Sequence, residues 1–185
     1  YTLTIEQTVP PTPGQLVKQP MVIPLSMALV QANGEVTHAQ VLQITETTQQ
    51  FHFDGVSERP VPSLLRGFSA PVKVNYAYAD ARLAMLAAKD SDGVVRWQAM
   101  RNLFVRSVRA AQLGTALPAA MFDAVAALLA DNATDPALIA HLLSFPNCTE
   151  LADLSVAGES IEPLKIADAR EAVIQRVARD HRAAI

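Results

Sequence analysis

Four histidines are the side chains of this sequence that could most directly hold a metal ion: His38, His52, His141 and His181. Two imidazoles can bind one zinc ion from a single helix when they lie four residues apart, as in a His-Glu-x-x-His motif. No pair of these histidines has that spacing, and the sequence lacks the motif. We therefore predict no metal-ligating residue in this chain. We expect His52 on a strand face and His141 on a helix, both partly exposed.

Nucleophilic catalysis would need a serine or cysteine held against a base. Ser69 in FSAPV lacks the Gly-x-Ser-x-Gly elbow and its strand-to-helix context, so we predict a turn serine. Cys148 in FPNCTEL is expected in an interhelical loop, with a structural role. As the one cysteine of the chain, it excludes an internal disulfide and indicates a reducing compartment, and we predict the cytoplasm.

The remaining polar groups have local explanations. Scattered single glycines form neither a phosphate loop nor a dinucleotide fingerprint. Four arginines lie around more than one face of one predicted helix and favour a solvated helix with salt bridges: Arg96, Arg101, Arg106 and Arg109. Four carboxylates lie at spacings typical of helix ends: Glu150, Asp153, Glu159 and Glu162. We therefore predict no catalytic and no cofactor-binding residue in this chain.

Bulk composition limits the classes of function. The net charge is −3 and the isoelectric point is about 5.8, so no basic surface for nucleic acid is expected. Half of the residues are apolar, but the apolar runs are far shorter than the roughly 18 to 20 residues of a membrane span. A chain of 185 residues is long enough to bury a core as one large or two small domains.

Residues 1–78 alternate between apolar and polar side chains, as half-buried strands do. Asn33-Gly34 predicts a hairpin with a type I′ turn. About six or seven short strands, the last of them Val72–Tyr78, predict a small Ig-like sandwich. In RPVPSLLRGFSAPVKVNYAY we expect Pro60 and Pro62 at the entry to an edge segment, Gly67 in a bulge and Pro71 as a break before the last strand. Arg66 and Ser69 are expected to serve local structure.

Residues 79–185 have helical periodicity. Predicted helices cover 79–90, 93–113, 117–131 and 135–145, and a last one starts at about Glu162 or Asp168. Their start and stop signals are Ser91 or Asp92, Gly114, Pro118, and Asp135 with Pro136. Short amphipathic helices with short loops predict helical hairpins in a bundle or a solenoid. The predicted fold class is α+β in two segregated parts.

The two ends lack the usual signals of a complete chain. The first residue is Tyr1 and not methionine, and the last residues still follow helical periodicity. We expect both ends to be cuts inside a longer chain.

Four stretches, in order, resemble the interior of the bacterial aminopeptidase N family, zinc metallopeptidases of the gluzincin type. They are YTLTIEQTVPPTPGQLVKQPMVIPLSMAL, FHFDGVSERPVPSLLRGFSAPVKVNY, DSDGVVRWQAM and ATDPALIAHLLSFPNCTELAD. The resemblance implies that 1–78 is a β-sandwich spacer domain and that 79–185 is the first part of a truncated helical C-terminal domain. It also implies that the zinc motif, its glutamate ligand, the Gly-x-Met-Glu-Asn segment and the catalytic tyrosine belong to an upstream catalytic domain.

On this resemblance the chain is a non-catalytic segment that spaces and caps a catalytic domain, and alone it is expected to be inactive. Zinc and the peptide substrate belong to the parent enzyme, and the partners are the catalytic domain and the rest of the helical domain. Dimer formation through the truncated helical face is a further expectation. Two alternatives stay open: an independent interaction or adaptor module, and an autonomous enzyme with an unrecognised site.

Overall fold

The computed structural model describes residues 1–56, 59–154 and 161–183. The chain divides into two compact units, Tyr1–Tyr76 and Ala77–Ile185. In the described residues, the first unit contains the β-strands and the second contains the α-helices. The predicted fold class, with a β part followed by a separate α part, is confirmed.

Five strands form the two sheets described in the first unit. Strand β1 (Thr2–Glu6) pairs antiparallel with β4 (Thr48–His52). Strand β2 (Ile23–Val30) lies between β3 (Val36–Ile44) and β5 (Val61–Leu64) and is antiparallel to both. Alternate residues point inward and build one apolar core, whose members include Leu3, Leu25, Met27, Leu29, Leu42, Ile44, Phe53 and Leu64.

The hairpin between β2 and β3 turns at Asn33-Gly34, as predicted. Gln31 N donates to Glu35 O at 2.8 Å, and Gly34 N donates to Gln31 O at 2.9 Å. Only Gly34 has a positive φ, at 93°, so the predicted type I′ turn is wrong. The side chain of Asn33 instead accepts from Glu35 N at 2.9 Å. That bond favours a turn with a single left-handed residue, which also matches the twist of the strands.

The segment after β5 differs from its prediction in two places. Pro62 lies in β5, which is an edge strand of its sheet as expected. Gly67 lies in a single 3-10 turn, Arg66–Phe68, with φ 59°, and not in a bulge. Residues 72–79 form no strand, so the predicted strand Val72–Tyr78 is wrong. Its alternate side chains, Val74 and Tyr76, stay exposed, so the apolar burial that usually holds a strand to its sheet is missing.

Six helices are described in the second unit: α1 (Asp80–Lys89), α2 (Gly93–Gln112), α3 (Ala119–Leu129), α4 (Pro136–Leu142), α5 (Cys148–Asp153) and α6 (Pro163–Asp180). The predicted caps are observed. Asp92 accepts from Val95 N at 3.0 Å, Asp135 accepts from Ala137 N at 2.8 Å, and Gly114 has a φ of 66°. The boundaries of the first four predicted helices are therefore close to those observed.

Helix α5 was predicted as a loop, and that prediction is wrong. Asn147 caps it: the Asn147 side chain accepts from Glu150 N at 2.9 Å, and Glu150 Oε2 accepts from Asn147 N at 2.8 Å. This reciprocal pair is a capping box, and it stabilises a helix of only six residues. Cys148 is therefore the first residue of a helix, where it is exposed.

Helix α2 is the centre of the second unit. Helices α1, α3, α4 and α6 all contact it. It buries eight residues on one broad face: Val95, Arg96, Ala99, Met100, Leu103, Phe104, Ser107 and Val108. The ring of Phe104 stacks on Phe145 with 3.9 Å between centroids. The four contacting helices therefore pack on one shared central helix, which holds them together.

Candidate functional site

The described part of the chain contains no group of three or more histidine, cysteine, aspartate or glutamate side chains that could hold a metal ion. The histidines make separate local contacts instead. His52 Nδ1 lies 3.1 Å from Thr2 Oγ1 across β1 and β4. His141 in α4 stacks on Trp97 with 6.1 Å between ring centroids. The ring of His181 stacks on another aromatic ring of the helical unit.

His38 occupies a β-bulge in β3. The register pairs Met27 with Gln40 but Leu29 with Thr37, so two residues of β3 lie opposite one of β2. His38 takes a left-handed φ of 52° at this point. Its Nε2 lies 3.0 Å from a backbone carbonyl oxygen, and its ring meets a core aromatic ring edge-on. These contacts hold the bulge and give His38 a structural role.

Ser69 and Arg66 both make bonds that hold the backbone around β5. The hydroxyl of Ser69 accepts from Ser26 N in β2 at 2.8 Å. Arg66 Nη1 donates to Ser63 Oγ at 2.8 Å. Both side chains thus take part in the local structure of the turn that follows β5.

The carboxylates expected at helix ends are held locally where they are described. Glu150 belongs to the capping box of α5, and Glu162 lies 2.8 Å from Lys165 Nζ. Asp153 is the last residue of α5. Glu159 lies outside the described residues.

Two arginines of α2 make surface ion pairs, as predicted. Arg101 Nη2 lies 3.5 Å from Glu150 Oε1, and its guanidinium lies 5.6 Å from the centroid of the Trp97 ring. Arg106 pairs with Asp80 at the start of α1 and donates to Tyr78 O at 2.9 Å. These two side chains fix α1 and α5 against α2.

Arg96 contradicts the prediction of a solvated arginine, because only 6 % of it is exposed. Its Nε donates to Ala87 O at 2.9 Å, its Nη1 donates to Thr134 Oγ1 at 2.9 Å, and its Nη2 donates to Asp131 Oδ2 at 3.1 Å. A guanidinium has five N–H groups in a fixed fork, so it can join α1 and the turn after α3 to α2 at once.

Asp131 has a strongly lowered pKa. The hydroxyl of Thr134 donates to Asp131 Oδ2 at 2.6 Å, and the backbone N–H groups of Thr134 and Ala133 donate to Oδ1 at 3.0 Å each. These bonds, and then the one from Arg96, favour the charged carboxylate and hold its pKa well below the usual range. The cluster of Arg96, Asp131 and Thr134 joins α2 to the turn after α3 through hydrogen bonds, and we call it the structural lock.

An open cavity of about 530 Å³ lies in the first unit. Residues 3–10 and residues 71–76 both contribute to its lining. Core side chains reach its floor, namely those of Ile23, Leu25, Ile44 and Leu64. A concave site with an apolar floor is the usual form of a binding site for a small apolar group. This cavity is therefore a candidate functional site in the described residues.

Gln7 fixes one rim of the cavity. The Gln7 side chain is buried and donates to Met21 O at 3.0 Å and to Glu46 O at 3.1 Å, and it accepts from Met21 N at 2.9 Å. The Gln7 side chain thus bonds both the N–H and the C=O of Met21, as the backbone of a neighbouring strand would in a sheet. The loop between β1 and β2 is therefore held in place beside the cavity.

Tyr76 lines the cavity and bonds to Tyr1. Burial, and then the hydrogen bond to Tyr76, raise the pKa of Tyr1 to about 12. Tyr1 N also donates to Phe53 O at 2.8 Å, and its ring lies 6.2 Å from the Phe53 ring. Residues 71–76 are thus attached to the core at their last residue.

Neither the lock nor the cavity was found from the sequence. Arg96 and Asp131 are 35 residues apart, and no spacing rule joins them. A hint existed for Gln7, since it is a polar residue at the end of an alternating run, but its partners depend on the tertiary fold.

Comparison with domain families gives two matches in tandem. Residues 1–77 match a family described as a domain of unknown function, DUF3458, with an Ig-like fold. Residues 80–185 match DUF3458_C, also a domain of unknown function, described as ARM repeats.

Curated relatives are aminopeptidases. The chain is 38 % identical to aminopeptidase N of Escherichia coli over 97 % of its own length, and 35 % identical to that of Haemophilus influenzae over 92 %. These matches confirm the resemblance noted from the sequence. The chain spans only 22 % and 21 % of the length of these two relatives.

A solved structure shares the fold. The crystal structure of Legionella pneumophila aminopeptidase A in complex with aspartic acid superposes with a TM-score of 0.84 at 24 % identity. The match covers the whole of this chain and 21 % of that one. Among the described residues, none of the helices combines the length and the apolar character that a membrane span requires.

Proposed function

Because the chain belongs to the DUF3458_C family and is similar to aminopeptidase N over nearly its whole length, we propose that it is a non-catalytic part of a longer zinc aminopeptidase. The observation that carries this proposal is the coverage: almost the entire chain aligns with about a fifth of each relative. Removal of N-terminal residues from peptides is then an activity of the parent polypeptide, in a part that this chain does not include.

The chemistry of such an enzyme needs groups that the described part of this chain does not bring together. A zinc ion polarises the scissile carbonyl, and a carboxylate activates the attacking water. In the described residues the histidines lie in separate places, and the carboxylates are held in caps and ion pairs. Zinc and the peptide substrate are therefore assigned to the parent. This chain supplies a sandwich that acts as a spacer and helices that cover the catalytic part.

Rigid packing within each unit supports this mechanical role. The core of the first unit surrounds the central strand β2, and the second unit surrounds α2 and is tied by Arg96. A spacer can hold two parts at a fixed distance only if its own elements do not shift, and close-packed cores with buried polar ties meet that need.

We also propose the cytoplasm as the compartment, on the single exposed cysteine, Cys148. Pairing of two copies through the helical unit stays a prediction. Large apolar side chains that would serve such a pairing are exposed there, and they include Leu113, Leu154 and Leu164.

The test compares this chain with its parent polypeptide on an alanyl chromogenic amide, each with zinc and with a chelator. We expect turnover by the parent that the chelator abolishes, and none by the chain alone under either condition. Turnover by the chain alone that survives repurification would overturn the proposal in favour of an autonomous enzyme. A parent without chelator-sensitive turnover would overturn it as well.

A further inference from the structure

The cavity of the first unit has the properties of a docking site for polypeptide. Its floor consists of core side chains, while its rim carries apolar side chains that water reaches: Met21 is 58 % exposed, Val74 41 % and Tyr76 37 %. Apolar rims around an open apolar floor are costly to leave in water and mark interaction sites.

Hydrogen bonds hold two residues of the cavity rim in place. Met21 is held by two hydrogen bonds from Gln7, and Tyr76 is held by its bond to Tyr1. These two attachments hold two separate segments of the cavity lining, the loop at Met21 and residues 71–76. A site that is already in its bound shape avoids part of the ordering cost of binding.

The charge of the lining fits an apolar, uncharged occupant. The charged side chains that line the cavity are Glu6 and Lys73, which have opposite signs. The remaining lining side chains are apolar or neutral, and the exposed Asn75 offers hydrogen bonds to a backbone. A volume of about 530 Å³ accommodates several side chains of an extended segment.

From these observations we propose that the cavity between residues 3–10 and residues 71–76 receives an extended apolar segment from the catalytic part of the same polypeptide. The proposal rests on the proposed function, since it needs a parent that contains such a part. The relatives are four to five times as long as this chain, so most of such a parent lies outside it. A segment of the same polypeptide has an effective concentration in the millimolar range, which lets an open cavity of modest intrinsic affinity stay filled.

Hydrogen exchange of the isolated chain and of the parent, measured on the same peptides, tests the inference. We expect the amides of residues 3–10 and 71–76 to exchange at least about tenfold more slowly in the parent than in the isolated chain. The docked segment must dissociate before these amides can exchange. Peptides from residues 36–41 in the first part of β3, which do not line the cavity, should exchange alike in both. Equal exchange of residues 3–10 and 71–76 in an active parent would overturn the inference and leave the proposed function intact.

Matched variants test whether the rim side chains contact the docked segment. Val74→Glu places a charge on the rim, and Val41→Glu places the same charge on an exposed valine that does not line the cavity. In the parent, Val74→Glu should remove most of the protection, and Val41→Glu should leave it in place. Met21→Glu, at another exposed apolar residue of the lining, serves as the second rim variant. Equal effects of Val74→Glu and Val41→Glu would overturn the inference.

The isolated chain provides the remaining control. All three variants should keep its unfolding temperature within about 3 °C of the original, since the substituted side chains are exposed. If the isolated chain instead gains protection at residues 71–76 as its concentration rises, a second copy fills the cavity and the inference is wrong. A parent without chelator-sensitive turnover would reveal failure of the proposed function, independently of any exchange result.

Discussion

Nη2 of Arg96 in α2 lies 3.1 Å from Oδ2 of Asp131 in the turn after α3. The same guanidinium reaches Thr134 and the carbonyl oxygen of Ala87 at the end of α1. One buried side chain thus determines how three helices meet. The stability of the helical unit should depend on it more than on any exposed arginine.

Arg96→Ala should lower the free energy of unfolding of the helical unit by about 3 kcal/mol, because it removes a buried guanidinium and its three hydrogen bonds. Chemical denaturation followed by circular dichroism measures this change. Arg82→Ala is the matched control, since Arg82 is exposed on α1 and its loss should cost less than about 0.5 kcal/mol. Equal losses of unfolding free energy in the two variants would contradict the structural role of Arg96.

Acid should weaken the lock through Asp131. Its pKa is lowered in the folded chain, so the stabilisation is complete above the unfolded-state pKa of about 4 and decreases as the pH falls below it. Unfolding temperatures of the original chain and of Asp131→Asn, measured from pH 7 to pH 3, test this. The unfolding temperature of Asp131→Asn should fall less on acidification than that of the original chain. An equal fall in both would contradict the role assigned to Asp131.

Tyr1 should ionise at a higher pH than a free tyrosine side chain. Its folded pKa of about 12 exceeds the usual value near 10, so the stabilisation is complete below pH 10 and is lost as the pH rises towards 12. Ultraviolet titration of tyrosinate in the isolated chain measures this pKa. Tyr76→Phe removes the hydrogen bond but leaves the burial, so the pKa of Tyr1 should fall part of the way. A Tyr1 titration unchanged by Tyr76→Phe would contradict the contact.

Gln7→Ala should release the loop between β1 and β2. The variant loses three hydrogen bonds of a buried side chain, which we expect to cost about 2 kcal/mol of unfolding free energy. Exchange of the Met21 amide should become much faster. Gln50→Ala, at an exposed position of β4, is the control and should leave that amide unchanged. A protected Met21 amide in Gln7→Ala would show that other contacts hold the loop.

Local signals predicted much of the fold. Asn33-Gly34 located the hairpin, and Asp92, Gly114 and Asp135 located helix ends, because each acts through its own backbone neighbours. Helix α5 was missed because Pro146 and a lone cysteine resemble a loop, while the Asn147–Glu150 pair that caps it was overlooked. Val72–Tyr78 has the right alternation for a strand, but alternation does not supply a partner strand.

Features of the candidate site depend on contacts between distant parts of the chain. The partners of Arg96 come from two other places in the helical unit, and the cavity is formed by residues at the two ends of the first unit. Neither the partners of Arg96 nor the residues of the cavity follow a fixed spacing in the sequence. The family resemblance, in contrast, depended on sequence alone, and the comparisons confirmed it.

The coding sequence read in frame upstream of Tyr1 tests most directly whether this chain is a non-catalytic part of a zinc aminopeptidase. The account predicts that the same reading frame continues upstream and encodes a His-Glu-x-x-His helix followed by a further glutamate ligand. A start codon at or just before Tyr1, with no catalytic part in the frame, would contradict it and favour an independent interaction module.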